Sequence, residues 1–426
     1  MIVDLATPRA LPTLDVLSRK RTVRWVAMLF GLSVLLQRFA VPGSVVPLLL
    51  PVVLGWLGLA WVRGMVEVER TRLMLLCAAL AVTGAAIFVQ PMLVPAPRVS
   101  LTSWGLVFAV SSTLIFRLVD RRPETFRRVL HAVSSIGVVL ALGALTMTAT
   151  QLAGVAYTDI VAGVVPEPLR LSGYVITYPY AYGGTLFRAN AWLGLEPSFV
   201  SFQLGLCALA AMMVRRSWLV LFLLLAGLAS TASGSGILIL LVGVAGLISS
   251  RLRGQLRPRL LPLGLGILVL LSTPYGIGLA ARAGEVAEDN SSASLRAIQP
   301  YERLLTPWLS DLPTTLFGAG PGTSQVLVTA TSEAGLLVPT PIKILFDYGI
   351  IAGFVLAAFL ITCYCGSLSP VLAFTLFFSL WTLQPGLTTI LLVVHVVILV
   401  SLWPRADESE VDGHAPRLLA RTGASP

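Results

Sequence analysis

Arg188 and Glu196 stand eight residues apart in the stretch FRANAWLGLEPSFVSF, residues 187–202, where a guanidinium and a carboxylate bracket a glycine at the mouth of a long apolar run. An arginine offers a planar, permanently charged fork that matches phosphate oxygens in two-point contacts. A solvated loop charge is the plainer reading of any single arginine. Glu196 precedes Pro197, which suits the first turn of a helix, and a carboxylate there is favoured by the helix dipole. Capping therefore accounts for Glu196, while an ionisable group at membrane depth also counts as a functional candidate. Gln203 follows about two helical turns later on the same face.

Aromatic residues gather just upstream. In YVITYPYAYGG, residues 174–184, Tyr174, Tyr178, Tyr180 and Tyr182 fall at even spacings, and Trp192 follows. Such rings either form a belt at lipid headgroup level or a platform for the apolar faces of sugar rings. Tyr301 and Trp308 pose the same choice further on. GAGPG at 318–322 lacks the Lys-Ser/Thr of a phosphate-binding loop. Gly318, Gly320 and Gly322 read instead as a tight turn, with close backbone approach to a ligand as the alternative. ASGSG at 232–236 reads as a tight outer turn with Ser235 capping the next helix. Lys343 and Asp347 are spaced for an i,i+4 pair. His131 and His395 have no partner at any telling spacing and read as structural. Cys77, Cys207, Cys363 and Cys365 read as small buried apolar residues, because the 363–365 pair is too tight for zinc and no second pair exists. No metal or cofactor is expected.

The elements that must carry these residues are membrane helices. Hydrophobic residues make up 56% of the 426 and charged residues 12%, with a mean hydropathy of +0.87. A soluble domain is nearer a quarter charged. Apolar runs of about 17 to 25 residues recur, each long enough for about 30 Å of hydrocarbon, and their composition reads as helix. About twelve spans are predicted: 24–41, 44–62, 72–90, 101–118, 129–150, 198–214, 217–232, 235–250, 260–280, 341–364, 369–384 and 386–403. The expected fold is an all-α polytopic bundle over 24–403 with large outer loops at 151–197 and 281–340. A basic cytoplasmic segment, 1–23, precedes it, and a polar, disordered cytoplasmic tail, 404–426, follows.

With the N-terminus inside, 22 of the 30 Lys and Arg fall on the inner side and 8 on the outer, while the acids divide 10 and 10. The positive-inside rule thus puts both termini in the cytoplasm. It also accounts for the net charge of +10 without a nucleic-acid partner, since the basic residues are scattered over short loops. The eight outer cations are Arg38, Arg98, Arg170, Arg188, Arg282, Arg296, Arg303 and Lys343. Most of them lie in the two long loops or just after, which invites a local reason such as an anion site.

Four segments occur in order: FRANAWLGLEPSFVS, LASTASGSGILILLVGVAG, SLRAIQPYERLL…LFGAGPG and PIKILFDYGIIAG. Together they resemble the O-antigen polymerase and ligase superfamily of bacterial envelope glycan assembly. The likeness covers about 185–355. Arg188 matches the arginine ahead of the family's Gly-x-x-Glu/Asn-Pro-Ser/Asn stretch, which Gly194, Glu196, Pro197 and Ser198 resemble with looser spacing. Ser233 and Gly236 stand where the family has Ser-Arg-x-Gly, without the arginine. Arg296 matches the second-loop arginine, with Arg303 as the alternative. Asp347, Tyr348 and Gly349 match the opening of the following span.

The resemblance implies transfer of a glycan from a polyprenyl pyrophosphate to the hydroxyl of a second lipid-linked glycan, with inversion and without metal or cofactor. Arg188 and Arg296 would stabilise the pyrophosphate leaving group, and Glu196 would orient Arg188 or take the hydroxyl proton. Tyr178, Tyr180, Tyr182, Trp192, Tyr301, Arg303, Lys343 and Asp347 would line the substrate site. Implied partners are the lipid-linked donor and acceptor, membrane lipid, and chain-length regulator or flippase proteins. Ligases of the superfamily carry a histidine late in the second loop, and this chain has none between His131 and His395, which favours a polymerase. A ligase-like transferase and, from another class, a secondary transporter remain the alternatives.

Overall fold

The computed structural model describes residues 12–94, 99–180, 184–250, 294, 298–331, 338–382 and 389–405. The predicted span 260–280, Tyr182 and Arg296 lie outside the described residues, as do both chain ends. The molecule is mostly helical. Its first half runs through α1 (Pro12–Leu35), α2 (Leu49–Val62), α3 (Arg70–Leu93), α4 (Leu101–Ser111, extended by a 3-10 turn), α5 (Pro123–Leu152) and the short α6 (Ile160–Val164). Next come α7 (Pro197–Met213), α8 (Trp218–Ser230) and α9 (Gly234–Ser249). The segment predicted as the second outer loop contributes α10 (Gln299–Leu309), α11 (Leu312–Phe317) and α12 (Thr323–Thr331). Last are α13 (Thr340–Tyr364), α14 (Pro370–Thr382) and α15 (Ile390–Val396), which runs on as a π-helical turn to Ser401.

Among the described residues, α3, α5 and α13 are long and apolar enough to cross a membrane. The other apolar helices are shorter, at 10–17 residues. The predicted spans 24–41 and 44–62 are trimmed: α1 stops at Leu35 and α2 starts at Leu49. Pro42, Pro47 and Gly43, at φ 72°, keep the stretch between them out of helical geometry. α5 starts earlier than the predicted 129, because Pro123 sits at its first position and Glu124 in its first turn, both favourable at a helix start. A wholly helical chain is not what forms. Val66–Val68 and Phe116–Leu118 pair as a two-stranded antiparallel ribbon, too short for any periodicity to announce.

α7 is the central helix. Val200 to Met212 are all buried, as a helix that is apolar all round must be. It packs against α5, α8 and α9, while α13 packs on α3 and α1 on α5. Small residues set the closest approaches. A Cβ on Gly236 of α9 would overlap the Ser201 carbonyl of α7, and one on Gly205 would overlap the Gly236 carbonyl. Such contacts let helices associate where apolar burial alone gives no drive. Cys207 fills a gap against Gly137 of α5. Cys207 and Cys363 are buried as expected, whereas Cys77 and Cys365 are exposed.

At the end of the bundle assigned above to the inner side, Glu69 caps α3 by accepting from the amides of Thr71 (3.3 Å) and Arg72 (2.7 Å). The buried Arg72 guanidinium donates to the carbonyls of Leu114 (3.2 Å) and Ser401 (2.7 Å). One side chain thus ties the last turns of two helical elements to the first turn of α3.

Candidate functional site

Residues 177–180 and 186–188 run side by side as the arms of a hairpin. The Tyr180 amide donates to Leu186 (2.8 Å) and the Arg188 amide to Tyr178 (2.9 Å), while the Thr177 hydroxyl donates to the Arg188 carbonyl (2.7 Å). Two helix ends anchor it. Gln151 of α5 accepts from the Phe187 amide (2.7 Å) and donates to the Phe187 carbonyl (3.1 Å). The Ser230 carbonyl of α8 accepts from the Ala189 amide (3.1 Å) and from the Tyr180 hydroxyl. The Arg188 guanidinium carbon lies 5.8 Å from the centroid of the Tyr178 ring, within cation–π range, and Tyr178 is exposed.

Among the described tyrosines, the even spacing does not make one platform. Tyr178 faces outward over Arg188, Tyr180 turns its hydroxyl inward to α8, and Tyr174 packs edge-on against Phe199 at 6.1 Å. The hairpin is irregular, so alternation along the chain does not translate into one face.

Residues 189–196 form a strained bend. Ala191 and Trp192 both hold left-handed backbone, at φ 53° and 57°, a conformation that costs ordinary residues free energy and persists only where the surroundings enforce it. Asn190, fully buried, does the enforcing. Its side chain accepts from the Trp192 amide (3.0 Å) and donates to the Ile176 carbonyl (3.2 Å). Arg38, also buried, donates to the Trp192 carbonyl (3.3 Å) and grips Asp159 with both ends of its fork, one contact at 2.5 Å. Burial works against the Asp159 charge, but the bonds from Arg38 and the Ala162 amide outweigh it and hold the carboxyl below its usual range. Gly194 is required, since a Cβ there would overlap Val200 and the Asn190 carbonyl. The Leu195 amide donates to Gln37, in the turn that follows α1 (3.2 Å).

Glu196 ends this bend as the N-cap of α7, with Pro197 at the first position. Its side chain makes no capping bond to the helix amides; it accepts from the Ser198 hydroxyl (3.0 Å) instead. The capping role expected of its carboxylate is corrected accordingly: Pro197 removes one donor and Ser198 diverts the oxygen. Tyr174 lies in reach of the carboxylate, and burial together with the Glu196 charge pushes its phenol up to about 12. The ASGSG turn likewise differs from expectation. Ser233 is the N-cap of α9, and the Ser235 hydroxyl donates to the Ser198 carbonyl (2.7 Å), so this turn braces the start of α7.

The second group of predicted residues is built differently. Gly318, Gly320 and Gly322 all have positive φ, and Gly349 breaks α13 at φ 70°, ψ −178°. The two features interlock: the amides of Ala319 and Gly320 donate to the Phe346 (2.8 Å) and Asp347 (3.1 Å) carbonyls that the break releases. The Asp347 carboxylate accepts from the Gly322 (3.1 Å) and Ser324 (2.9 Å) amides and from Lys343 (2.8 Å). Both charged side chains are buried. GAGPG is thus a tight turn whose inward amides take an internal carboxylate. Lys343 and Asp347 form the i,i+4 pair, and their contacts described here are to each other and to this turn. Arg303 donates to Gln299 on its own helix α10 (3.2 Å). Tyr301 and Trp308 pack with Leu304 and Phe346 in a separate apolar cluster, and burial pushes the Tyr301 phenol up to about 12.

Two kinds of residue escaped the sequence reading. Asn190, Gln151 and Asp159, the partner of the Arg38 read above only as one of the outer cations, position the bend but match no motif, and Gln37 and Gln90 are uncharged amides within apolar runs. An amide in such a run is itself a signal of a long-range partner. The structure brings Arg188, Tyr178, Trp192, Gly194, Glu196, Pro197, Ser198, Ser233 and Gly236 into one region at the head of α7. Set beside protein-family models, curated proteins and solved structures, the chain matches none.

Proposed function

We propose that the chain is a lipid-linked-glycan glycosyltransferase that polymerises polyprenyl-pyrophosphate oligosaccharides at the outer face of a bacterial cytoplasmic membrane, with both termini inside. The observation that carries this reading is Arg188, stacked over the exposed Tyr178 ring at the head of α7, with the Glu196 carboxylate at the end of the same braced bend. A cation suited to phosphate and a ring suited to a sugar face lie side by side. In the reaction, the bond from the donor sugar C1 to the pyrophosphate oxygen breaks and a bond from C1 to the acceptor hydroxyl oxygen forms. The hydroxyl proton passes to Glu196, and polyprenyl pyrophosphate leaves. Arg188, with Arg296 as the second cation on sequence grounds, neutralises charge on the departing oxygen; one such donor contributes roughly 10²–10³ in rate. Membrane anchoring of both lipids supplies proximity.

One observation favours a second reading. A helix broken at Gly349 beside a buried Lys343–Asp347 pair is the kind of element that secondary transporters use. The deciding experiment incubates the protein in lipid with a defined polyprenyl-pyrophosphate oligosaccharide and EDTA, comparing wild type with Arg188→Ala and Arg296→Ala by product size. Chain lengthening in wild type, reduced roughly 10²–10³-fold in the variants, is the expected result. Transfer only to a different acceptor makes the protein ligase-like. No turnover with any lipid-linked donor removes the transferase reading and brings transport forward.

A further inference from the structure

A continuous run of neutral polar groups leads from the Glu196 bend into the apolar interior. The Leu195 amide donates to Gln37 Oε1 (3.2 Å), Gln37 Nε2 donates to Gln203 Oε1 (2.8 Å), and Gln203 Nε2 lies 3.2 Å from His395 Nε2. Gln37, Gln203 and His395 are buried, and they join the turn after α1 to α7 and α15. Phe30 and Phe202 set their rings edge-on to the imidazole at 5.6 and 5.5 Å.

The polarity of this run follows from its outer end. A backbone amide can only donate, so Gln37 must turn its oxygen to Leu195 and its NH₂ to Gln203. Gln203 must then accept with its oxygen and donate with its NH₂. His395 Nε2 is left as the acceptor, with the ring neutral and its proton on Nδ1. Each amide orientation thus depends on the next, and a missing acceptor at the inner end leaves a buried NH₂ without a partner, a costly state in apolar surroundings.

We propose that His395 is a positioning residue for the Arg188–Glu196 bend, acting through Gln203 and Gln37 on the Leu195 amide. Leu195 adjoins Glu196, so the run sets where the carboxylate stands at the head of α7. The bend's strained backbone at Ala191 and Trp192 makes it the part that relaxes when this restraint is lost. The consequence for turnover rests on the transferase reading; the consequence for the bend does not.

The test uses full-length protein in lipid nanodiscs and reads amide hydrogen exchange in the peptide containing Leu195. His395→Phe keeps a ring and removes the acceptor, whereas His395→Gln restores an acceptor at the same reach. Gln37→Met breaks the run at its other end, should the first variant fail to fold. Exchange at Leu195 about tenfold faster in His395→Phe and Gln37→Met, near wild type in His395→Gln and unchanged in α3, is the expected result. Where wild type elongates glycan, kcat falls in His395→Phe with KM nearly constant, and His395→Gln rescues it. Unchanged exchange at Leu195, equal effects of Phe and Gln at 395, or a uniform rise along the whole chain each overturns the proposal. A wild type without turnover but with the expected exchange pattern overturns only the transferase reading.

Discussion

The bend at the head of α7 and the glycine turn at the break of α13 solve one problem in different ways. Each brings irregular backbone against an apolar bundle, where every amide and carbonyl needs a partner. The glycine turn supplies those partners from a buried charged pair, with Asp347 taking two amides and Lys343 together. The α7 bend draws on neutral amides, Gln151, Asn190 and Gln37, beside the Arg38–Asp159 pair, and keeps Arg188 against the exposed Tyr178 ring. In the glycine turn the cation and the carboxylate bind each other in the interior, whereas at the bend Arg188 lies against an exposed ring. This is why the first region carries the functional proposal although both contain a cation, a carboxylate and glycines.

The contrast is broken most strongly at Asp347. Asp347→Ala leaves Lys343 buried and unpaired and is expected to cost about 3–5 kcal/mol, read by thermal unfolding in detergent. The double variant Lys343→Met, Asp347→Leu should recover part of that loss, because a buried pair replaced by apolar side chains is often neutral. If the single variant is as stable as wild type, the charges are not the turn's scaffold.

A smaller effect is expected at Asn190. Asn190→Ala strips partners from the Trp192 amide and the Ile176 carbonyl and should cost roughly 1–3 kcal/mol. Its signature is local: proteolysis or exchange within 188–196 rises before the bundle melts. Global melting with no local opening would mean the bend is not independently held.

The smallest effect is a pH dependence at Asp159. Its carboxyl is held below the ordinary value, so its contribution is fully present above the unfolded pKa of about 3.9 and is lost as pH falls through the lower folded value. Wild type should therefore melt above Asp159→Asn at neutral pH, and the gap should close below about pH 4. A gap that persists at low pH would show that the carboxylate charge is not what grips Arg38.

Much of this architecture is legible along the chain. Apolar runs announce the helices, and Pro123, Pro197 and the Pro42–Pro47 stretch govern where they start and stop. The i,i+4 spacing of Lys343 and Asp347 reads directly as their pair, because helical neighbours are local. What stays hidden is long-range. Gln37 meets Gln203 across 166 residues and Gln203 meets His395 across 192, so no spacing rule connects them, and His395 reads as merely structural. The tyrosine series misleads for a different reason: alternation implies a shared face only in a regular strand, and this hairpin is not one. Cys77 and Cys365 show the same limit, since apolar surroundings in sequence do not say which side of a helix meets a neighbour.

The Arg72 staple sets an order on the making of the molecule. Its guanidinium bonds the Ser401 carbonyl, 329 residues further along. Ribosomal synthesis delivers α3 well before the end of α15, so over the synthesis of the residues between them this cation lacks a principal acceptor. A charge stranded in an apolar setting is costly, and a contact of such separation forms late. The closing turn of α15 therefore locks a joint that the earlier helices leave open: until Ser401 is in place, the Arg72 guanidinium has the Leu114 carbonyl and lacks the shorter of its two contacts.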